Sequence, residues 1–215
     1  MSADPLGLLV EGLTDPGAAV DNTRWRSVPR QPRKAAVLAL FGLADRGPQI
    51  VLTERAADLR SHPGQVSLPG GAVEPADPDL PATALREAAE EVALRTDTVQ
   101  ILGELPPVPV PVSHFNVTAV IGRWQNPHAL RAADPAEVAA VHQVPIEVLA
   151  APQTRCTAVH PRGFTSPGFV FGTDSGREVF VWGLTAFLLD ALLRLGGWEQ
   201  PWQVERRLPV PKERL

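Results

Sequence analysis

The segment Arg86-Glu87-Ala88-Ala89-Glu90-Glu91-Val92 constrains this chain more than any other. It lies in a helix expected over residues 80–94, where Pro81 is tolerable only in the first turn. Residues three and four apart are neighbours on a helix, so Glu87, Glu90 and Glu91 project from one face. Leu85, Ala88 and Val92 fall on the other side, spaced as a core-facing stripe. Like charges on adjacent turns repel by about a few tenths of a kcal/mol per pair. A cation between them removes that cost. Hard divalent ions prefer carboxylate oxygens, and Mg²⁺ keeps positions free for water and phosphate oxygens. By itself the run also suits a solvated acidic helix face.

The preceding loop narrows that choice. Pro69-Gly70-Gly71 stands before the helix, and glycine lets backbone groups approach a ligand or metal with no side chain between. A Gly-Gly turn followed by acids and then Arg-Glu and Glu-Glu on a helix is far more specific than either half.

Around this centre the pattern alternates strands and helices. Residues 35–42 form an apolar run that reads as a buried strand, and 45–48 read as a turn. Residues 49–53 follow as its hairpin partner, and 54–77 as a loop. Further strands are expected at 99–102, 116–124 and 137–144, with a proline-rich break at 106–111. Residues 168–172 and 178–180 suit a hairpin, and 181–195 an amphipathic helix. The expected class is α/β, a mixed β-sheet with helices on its faces. Residues 1–34 are expected to form an arm with a short helix or two, 35–197 the domain, and 198–215 a loose tail.

Composition excludes some functions. A net charge of −4 disfavours a dedicated binder of duplex nucleic acid. The single cysteine, Cys156, rules out a disulfide framework within the chain and suits a reducing compartment. Its expected place is the core. The N-terminus lacks a basic region ahead of an apolar one, and the apolar stretch at 180–195 is broken by Asp190 and Arg194. A cytoplasmic protein with no membrane partner is expected.

Gly71, Asp77 and the run Arg86 to Leu94 resemble the Nudix box: glycine, five residues, Glu, seven residues, Arg-Glu, an aliphatic residue, any residue, Glu-Glu, any residue, glycine and an aliphatic residue. The chain departs in three places: Asp77 replaces the first Glu, eight residues separate it from Arg86, and Ala93 replaces the late glycine. The upstream residues Val51-Leu52-Thr53-Glu54-Arg55 and Leu59-Arg60-Ser61-His62-Pro63-Gly64-Gln65-Val66-Ser67-Leu68-Pro69-Gly70-Gly71 are similar to a motif of the coenzyme A pyrophosphatase branch. Leu68 stands where that motif has Phe. Trp182-Gly183-Leu184-Thr185-Ala186 is similar to that branch too.

The resemblance implies a Nudix-type α/β/α sandwich and hydrolysis of coenzyme A or its thioesters to 3′,5′-ADP and 4′-phosphopantetheine. It implies Mg²⁺ or Mn²⁺ held by Glu87, Glu90, Glu91, the Gly70 carbonyl and Glu137. The implied catalytic set is Glu87, as ligand or general base, and Glu90, with Arg86 as an orienting ion-pair partner. Arg55, Arg60, His62 and Gly71 form the implied substrate-binding set, since guanidinium groups suit phosphate. Asp77 is read as structural. Ala93 is expected to end the helix in some way other than the left-handed cap that glycine eases. Other nucleoside diphosphate derivatives (NADH, ADP-ribose, a nucleoside triphosphate) and a non-catalytic ligand-binding module are the competing readings. A homodimer is left open.

Overall fold

Alternation along residues 36–41 builds the centre of the molecule. Ala36, Leu38 and Leu40 pack to one side, while Ala39 and Phe41 pack to the other. That two-sided burial is what a central strand covered on both faces requires. The computed structural model describes residues 4–18, 20, 32–45, 47–59, 63–111, 113–173 and 176–211. In chain order the elements begin with α1 (Gly7–Gly12), β1 (Arg33–Ala44), β2 (Gly47–Arg55), β3 (Val66–Ser67) and β4 (Gly70–Ala72). Next come α2 (Leu80–Val92), β5 (Val99–Glu104), β6 (Val108–Val110), β7 (Phe115–Trp124) and β8 (Val138–Pro145). The chain continues with α3 (Ile146–Ala150), β9 (Arg155–Val159), β10 (Thr165–Gly172), β11 (Glu178–Val181), α4 (Gly183–Leu195) and β12 (Arg207–Pro209).

Strands β1 to β8 form one mixed sheet and β9 to β12 a second, four-stranded one in the order β11-β10-β9-β12. β1 runs parallel to β7 and forms the expected antiparallel hairpin with β2, Phe41 facing Ile50. Ala84, Ala88 and Val92 of α2 cover one face of the first sheet, against Leu38, Leu40 and Val120. The other face joins α4 and Phe169, Phe171, Val179 and Val181 of the second sheet in the larger core. Leu6 and Leu9, in the stretch expected as an arm, are buried in that same core. No helix of the described residues is long and apolar enough to cross a membrane.

Four expectations need correction. The loop expected at 54–77 contains β3 and β4, and β4 pairs with β1, placing Gly70 opposite Val37. The proline-rich break holds β6, which pairs with β7; a strand at a sheet edge tolerates Pro109. The tail is not loose: β12 runs parallel to β9 and Val210 is buried. Arg206 donates from Nη1 to the Gln153 and Arg155 carbonyls at 2.6 and 2.8 Å, fastening it further. Finally, α4, expected as an amphipathic helix over 181–195, begins at Gly183 and has no solvent face along its middle. Residues 186–193 are all buried, because α1 and the second sheet cover the faces that solvent would take. Burial on all sides needs a partner for Asp190, which pairs with the fully buried Arg155 and, at 2.8 Å, with Arg194. Cys156 is buried, as expected.

Candidate active site

α2 begins where its local chemistry dictates. The Asp79 carboxylate accepts from the Ala82 N–H at 2.8 Å and caps the helix, and Pro81 occupies the first turn, where no N–H is needed. The other end is a surprise. Ala93 itself takes the left-handed conformation, with φ 55° and ψ 38°, contrary to the expected alternative ending. The Leu94 N–H reaches back to the Ala88 carbonyl at 3.4 Å. Two carbonyls at this end accept from the loop before β8: Val92 from the Arg131 N–H at 3.2 Å and Glu91 from the Ala133 N–H at 3.0 Å. The loop bonds and the turn satisfy helix-end carbonyls that would otherwise lack partners, which offsets the cost of a left-handed alanine.

Arg86 joins three elements. Its Nε and Nη2 donate to the two Asp77 carboxylate oxygens, both at 3.0 Å, a bidentate pair. Nη2 also donates to the Ala72 carbonyl of β4 at 3.1 Å. Nη1 lies 3.0 Å from Glu87 and 3.1 Å from Glu90. Asp77 additionally accepts from Thr83 Oγ1 and from the Glu74 N–H, both at 2.9 Å. The Arg86 guanidinium and these donors hold the Asp77 carboxyl well below the ordinary carboxylate range. Asp77 is therefore a loop-to-helix tie, the structural position expected for it.

The glutamates of α2 divide. Glu91 turns toward β4, and its carboxylate accepts from the Gly70 N–H at 3.2 Å. Burial pushes its carboxyl up to about 7; the Gly70 N–H and Arg55 oppose that rise, while the Glu87 and Glu137 charges add to it. Glu87 packs on Gly71, and burial raises its carboxyl as well, with Arg86 opposing. Glu90 points outward, 59% exposed, onto Arg86.

The glycines explain the tight fit. A Cβ on Gly71 would lie 2.5 Å from the Glu87 carboxyl carbon. A Cβ on Gly70 would lie 2.3 Å from the Ala36 carbonyl oxygen and 2.5 Å from Val37 Cα, inside the β1–β4 pairing.

Arg55 enters from β2. Its N–H donates to the Gln65 carbonyl at 2.9 Å, and its side-chain Nε is buried with no hydrogen-bond partner among the described residues. Glu137 stands beside it: the Ala56 N–H donates to the Glu137 carbonyl at 2.9 Å. Glu91 thus lies within electrostatic reach of Glu87, Glu137 and Arg55 and bonds to Gly70 at the start of β4. Arg60 and His62 lie outside the described residues.

Among the described residues, no three His, Cys, Asp or Glu side chains already converge as ligands on one point. The donor set nonetheless fits a hard divalent ion. Two partly desolvated carboxylates stand against the start of β4, which carries no side chains, and a cation would offset the desolvation that raises them. Glu90 joins them only by leaving Arg86. The loop donors Arg131 and Ala133 were not expected from the sequence; Asp134-Pro135 was its one local signal, a turn-forming pair.

A solved Nudix hydrolase structure from M. Smegmatis is 20% identical and superposes over 55% of this chain and 74% of that one, with a TM-score of 0.47. A protein of Enterobacter sp. (strain 638) described as an uncharacterized Nudix hydrolase, NudL, is 41% identical over 168 residues, 76% of this chain and 83% of that protein. Its counterpart in Cronobacter sakazakii (strain ATCC BAA-894) is 42% identical over 166 residues with the same coverage of both chains. The family model described as the NUDIX domain matches residues 32–162, more than half of the chain. The chain belongs to the Nudix family, hydrolases that act on pyrophosphate bonds.

Proposed function

We propose that the enzyme hydrolyses the pyrophosphate of coenzyme A or its thioesters, releasing 3′,5′-ADP and 4′-phosphopantetheine, with Mg²⁺ or Mn²⁺ bound beside Gly70 and Gly71. The observation that carries the reading is Arg55: a guanidinium with a buried Nε, unpartnered among the described residues, near the half-buried Glu91 carboxylate. An unmet donor of that kind suits a phosphate oxygen next to a carboxylate-held cation. The match of residues 51–55 and 59–71 to the coenzyme A branch motif supports the substrate.

Glu90, Glu91, Glu137 and the Gly70 carbonyl hold the ion in this reading, with Glu87 adjoining it. The cation, when bound, supplies neutralisation of the pyrophosphate charge and polarisation of water. Glu87, packed on Gly71, takes the proton of the attacking water. Arg86 fixes Glu87 through its Nη1, and its pair of hydrogen bonds to Asp77 keeps it from drifting into the site. Arg55 faces the substrate phosphates in this reading and Gly71 leaves room for their approach; Arg60 and His62, outside the described residues, are assigned to the same phosphates by the resemblance alone. Water attacks phosphorus and the phosphoanhydride bond breaks, so both products carry a phosphate.

The test is turnover with Mg²⁺ or Mn²⁺ against coenzyme A, NADH, ADP-ribose and nucleoside triphosphates. Coenzyme A is expected to yield the two named products fastest. No turnover of coenzyme A alongside turnover of another compound overturns the substrate assignment.

A further inference from the structure

Glu137 reaches the site on a loop, and an exposed loop needs a reason to hold a ligand in place. Asp134 provides one. Pro135 has no N–H, so Ala136 offers the first free donor, and its N–H donates to Asp134 Oδ1 at 2.8 Å. The Asp134 carbonyl then accepts from Glu137 at 3.0 Å and from Val138 at 2.9 Å. This is a side-chain-closed turn of the kind aspartate forms. Both its ends are anchored at the site: the Ala133 N–H donates to the Glu91 carbonyl at 3.0 Å, and the Ala56 N–H to the Glu137 carbonyl at 2.9 Å. The residue whose carboxylate accepts from Gly70 therefore also holds, through its own backbone, the loop that delivers Glu137.

We infer that Asp134 is a positioning residue: its carboxyl oxygen closes the turn that sets Glu137 beside Glu91. The inference rests on the proposed role of Glu137 toward a divalent cation. Asp134 is itself exposed and acts as an acceptor rather than as a charge. Asparagine, which keeps that acceptor, therefore substitutes for it, and alanine does not.

The test is Mn²⁺ binding to the full chain, read from the signal of free Mn²⁺ in electron paramagnetic resonance, for the wild type, Asp134→Ala, Asp134→Asn, Glu137→Gln and the double variant Asp134→Ala/Glu137→Gln. Glu137→Gln and Asp134→Ala are each expected to weaken binding about tenfold, the low end of what outer-shell changes cost. Asp134→Asn is expected to bind as the wild type does. The double variant is expected to bind no worse than Glu137→Gln, since Asp134 acts through Glu137. Wild-type binding by Asp134→Ala while Glu137→Gln weakens it overturns the inference alone, as does an additive double variant. Wild-type binding by Glu137→Gln overturns the role of Glu137 on which the inference rests.

Discussion

Gly71 and Glu87 occupy adjoining space so tightly that a Cβ on the glycine would stand 2.5 Å from the glutamate carboxyl carbon. What the methyl group meets is the far end of a flexible side chain, which can move aside. Gly71→Ala is therefore expected to fold with nearly unchanged thermal stability and to lose about tenfold or more in kcat, because small displacements of a reacting group are costly. Gly70→Ala is expected to behave oppositely. Its Cβ meets the Ala36 carbonyl and Val37 Cα, backbone that cannot give way without opening the β1–β4 pairing. Thermal denaturation of the two variants, measured beside their steady-state rates, checks this. Equal destabilisation of both would contradict it.

Ala93 carries a left-handed backbone with φ 55°. That conformation costs an L-residue about 1–2 kcal/mol, and glycine relieves it at a smaller cost in chain entropy. Ala93→Gly is expected to stabilise the fold by roughly 0.5–1 kcal/mol, read from urea denaturation. A destabilised variant would show that the turn is not strained in solution.

Asp77 gives the fold an acid-sensitive tie. Its carboxyl is held below its ordinary 3.8, chiefly by Arg86. A depressed carboxyl contributes stability above its unfolded value, lost as pH falls below that value toward the folded one. Stability of the wild type is expected to fall as pH drops below about 4, and Asp77→Asn to be less stable near neutral pH with a shallower acid loss. Chemical denaturation at a series of pH values from neutral to acid measures both. Parallel curves for the two proteins would remove Asp77 from the account.

Arg155 is wholly buried against Asp190, with its guanidinium between the Phe169 and Trp202 rings, each 4.8 Å away. Removing one partner of a buried pair strands the other, at about 3–5 kcal/mol. Asp190→Asn is expected near the lower figure, since the amide still accepts a hydrogen bond, and Asp190→Leu near the upper. Denaturation midpoints of the two variants test the order.

Much of this was legible in the chain. Pro81 marks the start of the helix, and the spacing identifies Ala88 and Val92 as core-facing, whereas Leu85 is only partly buried and Ala84 takes its place in the core. The β1–β2 hairpin followed from two apolar runs around a turn. What escaped depended on partners distant in sequence. β4 is three residues long and exists only because β1 lies beside it; β12 exists only because β9 does. The division of the glutamates could not be read from helical spacing either. It arises because Asp77 holds Arg86 where Glu90 meets it, while Gly70 takes Glu91. Ala93 caps the helix in place of glycine for a related reason: the N–H groups of loop residues 131 and 133 satisfy carbonyls at the helix end.

The proposed site turns on the carboxylate that Gly70 meets. The most direct measurement is coenzyme A hydrolysis by the wild type and by Glu91→Gln across a Mg²⁺ series, with products identified by mass spectrometry. The account predicts Mg²⁺-dependent release of 3′,5′-ADP and 4′-phosphopantetheine by the wild type. It predicts at least about a hundredfold lower kcat/KM for Glu91→Gln, roughly 2.7 kcal/mol of lost transition-state stabilisation. Undiminished hydrolysis by Glu91→Gln, or turnover by the wild type that is indifferent to Mg²⁺ and Mn²⁺, would contradict it.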